Sequence, residues 1–311
     1  MTKTVAIGIQ DFGDLIRKKL FYIDKTMFIK EWWESNDNTT LITRPRRFGK
    51  TLNISMVEQF FSMDYADNGD IFEGLYIWED EKYRQLQGTY PVISLSFASV
   101  KEATAENAKE QIRNIIKRVY KENIFLRDCD VLTDDDKYYF NSILSDNAGE
   151  VAFTNSINQL SDFLYRYHGK KVIILLDEYD TPMQEAYVHD YWQEIVVFLR
   201  SLFNSAFKTN PYLERALMTG ITRVSKESIF SDLNHLEVVT IEPKDKRKNA
   251  IILEFKVLNH RRESNLEETV AAALKQIEDK QYESQLEARG IFKENIRKYG
   301  IAFQGKKVLI G

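Results

Sequence analysis

Thr40-Leu41-Ile42-Thr43-Arg44-Pro45-Arg46-Arg47-Phe48-Gly49-Lys50-Thr51-Leu52-Asn53-Ile54-Ser55-Met56-Val57 reads as a short buried strand, a basic loop and the first turns of a helix. That is the order of parts in a phosphate-binding loop, where backbone N–H groups curl round an anion and the following helix turns its positive end towards it. Gly49 lets the backbone come close, Lys50 offers a point charge to the β and γ oxygens of a nucleotide, and the Thr51 hydroxyl is a candidate magnesium ligand. The usual pattern carries a glycine five residues before Gly49, and Arg44 stands there instead. Arg44, Arg46 and Arg47, with Phe48 beside them, suit a polyanion; they equally suit a solvated basic turn. A bare glycine-lysine-threonine triplet arises by chance, so the weight of the reading rests on what lies downstream.

Downstream, Val172-Ile173-Ile174-Leu175-Leu176-Asp177-Glu178 is an unbroken apolar run that ends in two carboxylates. A run without polar interruption marks a strand buried on both faces. At its end, Asp177 can reach a magnesium-bound water, and Glu178 is placed to polarise an attacking water as general base. The ordinary alternative is that both carboxylates cap the next helix. The run Arg215-Ala216-Leu217-Met218-Thr219-Gly220 also ends in a hydroxyl, which makes Thr219 a candidate sensor of the terminal phosphate, against a plain strand-end turn. Arg223 could offset charge on the transferred phosphoryl group, or be a surface arginine. Together the motifs point to ATP and Mg2+.

A chain of 311 residues suits one α/β domain of about 240 residues plus a shorter remainder. The net charge of −4 gives no overall pull towards nucleic acid, so any DNA contact must come from a local patch. The single cysteine, Cys129, excludes a disulfide scaffold and a cysteine-rich metal site, which fits a reducing compartment and a cytoplasmic location. No apolar run approaches the 18 or so residues of a membrane span, and the first residues lack the core of a secretory signal. Strand-length apolar runs recur at Thr39 to Thr43, Pro91 to Phe97, Lys171 to Leu176, Arg215 to Thr219 and Glu237 to Ile241. Helical periodicity fills the spaces, with Ala105, Ala108, Ile112, Ile115 and Val119 on one stripe and Trp192, Ile195, Val196 and Leu199 on another. Alternation of this kind predicts a mainly parallel sheet flanked by helices.

Four stretches carry a resemblance. Ile7-Gly8-Ile9-Gln10-Asp11-Phe12, Tyr22-Ile23-Asp24-Lys25-Thr26, Thr43 to Thr51 and Leu176-Asp177-Glu178-Tyr179-Asp180 make the chain, to about Thr240, resemble the bacterial AAA-ATPase-like family. In that family an arginine-proline-arginine-arginine-phenylalanine lead-in replaces the first glycine, so Arg44 to Phe48 become part of the match. The resemblance implies a P-loop ATPase domain over residues 1–240, with Asp24-Lys25-Thr26 near the nucleotide pocket; from the residues alone that triplet is an ordinary helix cap.

Members of the family commonly continue into a PD-(D/E)XK nuclease-like domain, and residues 241–311 resemble part of one. Its signature is Ile251-Ile252-Leu253-Glu254-Phe255-Lys256-Val257, where Glu254 and Lys256 point to one face of a strand. Glu254 is then a candidate metal ligand and Lys256 a candidate partner of the attacking hydroxide or the phosphate; without the resemblance they are a cross-facing pair on a half-exposed strand. Ser264-Asn265-Leu266-Glu267 reads as a capping box, followed by the stripe Leu266, Val270, Leu274 and Ile277, with Gln276 and Tyr282 as polar helix residues. The nuclease aspartate that should precede Glu254 falls on Val238, and the segment 237–242 is claimed both as last strand of the ATPase sheet and as first hairpin strand of the nuclease. The resemblance implies a long stretch between the ATPase strands and the nuclease core, and almost nothing intervenes here, so it implies an internal deletion that joined the two ends. The expected activity is Mg2+-dependent ATP hydrolysis by a regulatory module, with two alternatives: an ATP-regulated nuclease that contacts DNA through the tail, and a nucleotide-dependent switch that does not turn over.

Overall fold

The computed structural model describes residues 8–45, 47–145, 147–221, 236–239, 250–259, 263–287, 292–305 and 307–311. Five strands, β1 (Thr39–Thr43), β2 (Val92–Ser96), β3 (Val172–Asp177), β4 (Leu213–Gly220) and β5 (Leu236–Val239), form one sheet in the order β2-β3-β4-β1-β5. Every pairing in it is parallel. Parallel neighbours need long crossovers, which is why the apolar runs are separated by helices such as Lys50–Phe61, Ala105–Glu122, Glu150–His168 and Trp192–Phe203.

All six residues of β3 are buried, as its unbroken apolar run requires. Alternate side chains serve opposite faces. Val172, Ile174 and Leu176, with Ala216, Met218 and Leu41 from neighbouring strands, join one large core with Ile112, Ile116, Phe163 and Leu199 from the helices. Ile173, Leu175 and Leu217 are equally buried and serve the other face; the helix Lys50–Phe61 packs on β3 and β4. Because β4 lies between β1 and β3, the end of β4 falls between the phosphate loop and the acidic strand end.

The chain divides into two compact units. Asp24–Ile241 with Gln10–Gly13 forms the one that holds the five-stranded sheet, and Asp14–Ile23 groups with Glu242–Gly311 in the other. The second unit contains a three-stranded sheet: β6 (Ala250–Val257) pairs in parallel with β7 (Ile296–Gln304), which pairs antiparallel with β8 (Lys307–Ile310). The helix Leu266–Asp279 makes the β6-to-β7 crossover and packs on all three strands, burying Val270, Ala273 and Ile277.

One open question is decided for four residues and one expectation changes. The strand Leu236–Val239 pairs with β1, Leu41 opposite Val238, so these residues belong to the five-stranded sheet; among the described residues the neighbour of β6 is β7. The N-cap of the helix Leu266–Asp279 is Asn265, whose side chain accepts from Glu268 N at 2.9 Å, while Ser264 N donates to the Glu268 carboxylate at 2.7 Å. The capping pattern is thus one residue later than the box at Ser264 and Glu267, since Asn caps at least as well as Ser. Arg46, Arg223, Glu242 and the charged segment 243–249 lie outside the described residues.

Candidate functional site

The phosphate loop turns on Gly49, which caps the helix Lys50–Phe61 in a left-handed conformation with φ +76°. A side chain would be strained there. Arg47, at φ +69°, is also left-handed although it carries a side chain. Lys50 is buried, and its ammonium folds back to donate to Arg44 O (3.0 Å) and Pro45 O (3.1 Å), closing the loop on itself. Arg44 N donates to Gly220 O at 3.1 Å, tying the loop to the end of β4, and burial lowers the pKa of the Arg44 guanidinium. Arg47 and Phe48 are exposed, Phe48 with 57% of its surface open to solvent.

The acidic strand end meets this loop directly. Thr51 Oγ1 donates to Asp177 Oδ2 at 2.7 Å, although the two residues are 126 positions apart. Thr219, fully buried, donates to the other oxygen, Asp177 Oδ1. Asp177 is itself buried, and its two carboxylate oxygens are held by one hydroxyl from the first turn of the helix Lys50–Phe61 and one from the end of β4, at the sheet edge where α/β folds bind ligands. Glu178 follows in a left-handed conformation, φ +52°, with its N–H directed at Thr219 Oγ1 (3.4 Å) and its carboxylate accepting from Thr181 Oγ1 (3.2 Å).

Sequence reasoning quoted Asp180 within a motif but gave it no role; it is fully buried and accepts from Ile221 N at 3.0 Å and Gln184 Nε2 at 2.9 Å. The turn after β3 explains Gly220 at the end of β4: an added Cβ would lie 2.5 Å from Tyr179 Cε1 and 2.8 Å from Asp180 Oδ1. Asp24 accepts from Thr26 N (2.8 Å), Thr26 Oγ1 (2.7 Å) and Tyr76 N (2.8 Å), bonds that shape its own segment and tie it to Tyr76. Beside Thr51 and Asp177 opens a cleft of about 340 Å3, lined further along by Ser94, Ser96, Glu58 and Arg118. Burial pushes the Glu58 carboxyl up to about 7; a hydrogen bond from Ser94 pulls the other way, and Glu122, Asp11 and Asp64 add like-charge repulsion.

The donor set fits magnesium. A carboxylate and a hydroxyl converge at one point with a cradle of glycine and lysine beside it, which is the hard-oxygen chemistry that this ion takes when phosphate oxygens complete its shell.

In the second unit, Gln276 links the two strand residues singled out from sequence. Its Nε2 donates to Glu254 Oε1 at 2.6 Å, and its Oε1 accepts from Lys256 Nζ at 2.7 Å. Tyr282 OH stands 3.4 Å from Gln276 Nε2. Among the described residues, no three His, Cys, Asp or Glu side chains are grouped to hold a metal.

A parallel sheet with a glycine-lysine-threonine loop after β1 and a hydroxyl-held aspartate at the end of β3 defines a P-loop α/β fold. The chain belongs to the family described as predicted AAA-ATPase, whose model matches residues 6–230. Residues 235–311 match the PD-(D/E)XK nuclease superfamily, so that match begins one residue before β5. A relative from Azotobacter chroococcum mcd 1, described as an uncharacterized protein in the vnfD 5' region, is 25% identical over 247 residues. The alignment covers 77% of this chain and 41% of that relative, so the chain spans about two fifths of the relative's length. Among the described residues, no helix is long and apolar enough to cross a membrane.

Proposed function

We propose that the chain binds ATP with Mg2+ through its 1–240 domain and hydrolyses it, serving as a regulatory switch. The observation that carries the reading is the bonded set Thr51–Asp177–Thr219 at the mouth of the phosphate loop. Lys50 would exchange its two loop carbonyls for phosphate oxygens, a swap of neutral acceptors for charged ones. Thr51 and Asp177 would hold the magnesium, which neutralises phosphate charge when bound. Glu178 would take the proton of the attacking water as that oxygen bonds to the γ-phosphorus and the bond to the β–γ bridging oxygen breaks. Thr219 would fix the Asp177 carboxylate and report on the terminal phosphate; Arg223 is assigned to its charge.

Lys50→Ala is expected to abolish Mg-ATP binding in calorimetric titration, and wild-type affinity in that folded variant would remove the phosphate-loop assignment. Glu178→Gln is expected to keep Mg-ATP bound while hydrolysis falls on the order of 100-fold. Turnover at the wild-type rate would leave Glu178 as the partner of Thr181 alone.

The Glu254–Gln276–Lys256 network favours a second reading, metal-dependent DNA cleavage by the tail. It ranks below the first because Glu254 contributes one carboxylate, and Mg2+ is usually held by more than one such group or by substrate phosphates.

A further inference from the structure

Lys50 is not the lone cation at the phosphate loop. The exposed Lys25 reaches in from a different part of the chain, and its Nζ stands 3.4 Å from the point that a side-chain carbon on Gly49 would occupy. Its position is built. On one side Asp24 is bonded to Tyr76 N, and on the other the buried Thr26 accepts from Ile77 N at 3.1 Å, so both neighbours of Lys25 are pinned to the turn Tyr76–Glu79. Asp24 also accepts from Thr26 N and Oγ1, which closes the short segment on itself. A lysine carried on a base fixed in this way gives up less freedom on meeting an anion than one on a loose loop.

The charge falls where it can act. Gly49 caps the helix Lys50–Phe61, whose amino end already attracts anions, and Lys50 is turned inward onto Arg44 O and Pro45 O. Lysine is a compact charge with three rotatable donors, suited to phosphate oxygens whose arrangement changes between nucleotides.

We propose that Lys25 is a second phosphate-binding cation of this loop, contacting the nucleotide's terminal phosphate oxygens and favouring a triphosphate over a diphosphate. The inference rests on the reading of the loop as a nucleotide site. It gives the Asp24-Lys25-Thr26 triplet a division of labour: the outer two residues position, and the middle one binds.

The test titrates Mg-ATP and Mg-ADP into wild type, Lys25→Met and Lys25→Arg at several ionic strengths, with thermal melting of each protein without nucleotide. Lys25→Met is expected to weaken Mg-ATP about 10-fold, to weaken Mg-ADP less, and to flatten the salt dependence, because one screened charge pair is gone. Lys25→Arg should retain affinity and salt dependence, and all three proteins should melt alike. Equal affinities in wild type and Lys25→Met would overturn the proposal while leaving the loop assignment standing. Matched losses in Lys25→Met and Lys25→Arg together with lower melting would make Lys25 a structural prop and overturn it as well. A wild type that binds neither nucleotide would sink the loop reading and this inference with it.

Discussion

Thr219→Val is the substitution that isolates the centre of the site. Valine nearly preserves the shape of threonine, so the change removes a hydroxyl from a fully buried position without opening a cavity. Two contacts go: the donation to Asp177 Oδ1 and the acceptance from Glu178 N. A hydrogen bond to an ionised group contributes about 1.5–3 kcal/mol, and here Asp177 would be left buried with an unmatched oxygen. The expected loss is therefore about 2 kcal/mol. For a domain of this size that lowers the melting temperature by about 4–8 °C. Mg-ATP affinity should fall too, because Asp177 would lose the group that fixes its orientation, whereas Thr219→Ser should recover most of both losses. Thermal unfolding by circular dichroism and calorimetric titration read the two quantities. A Thr219→Val protein that melts within a degree of wild type and binds Mg-ATP equally well would refute the assignment of Thr219 as the anchor of Asp177.

Two further outcomes follow from other parts of the structure. The Glu58 carboxyl has its pKa raised by burial from 4.5 to about 7, so between those values the folded chain holds a proton that the unfolded chain has released. Stability should decline as pH rises through that window, by about 3 kcal/mol in all, and Glu58→Gln should flatten the decline in urea melts at pH 5 and pH 8; an unchanged pH slope would contradict it. With plasmid and linear DNA in magnesium or manganese, the pure protein should cut no faster than Glu254→Ala; cleavage that disappears in that variant would promote the nuclease reading.

The strands were legible because a sheet buried on both faces leaves little freedom of composition. Val172 to Leu176 and Thr39 to Thr43 match β3 and β1 almost residue for residue. Asp177 and Thr51 could be paired from motif order alone, since in a parallel sheet the loop after one strand and the acidic end of another lie at the same edge. Other features depend on contacts that no local pattern encodes. The Lys25 ammonium at Gly49, the Glu58 carboxyl under Ser94 and the burial of Asp180 each bring together residues from separate elements. The cap at Asn265 was misplaced by one residue because Ser264 and Asn265 are both good capping residues, and only the backbone decides between them. Segment 237–242 was undecided in sequence because an edge strand and a hairpin strand share the same apolar alternation; pairing with β1 decides it for Leu236–Val239.

Arg47 and Glu178 both hold left-handed backbone conformations while carrying full side chains. Each costs about 1–2 kcal/mol relative to an ordinary conformation. Together they use a sizeable part of the 5–15 kcal/mol that typically separates folded from unfolded chains. Glycine at either position would relax that cost. A library of variants screened only for heat tolerance should therefore gather glycine at 47 and 178, and its most durable members would be those that had given up the arginine of the loop and the carboxylate proposed as base. Thermal selection and functional selection would pull these two codons in opposite directions.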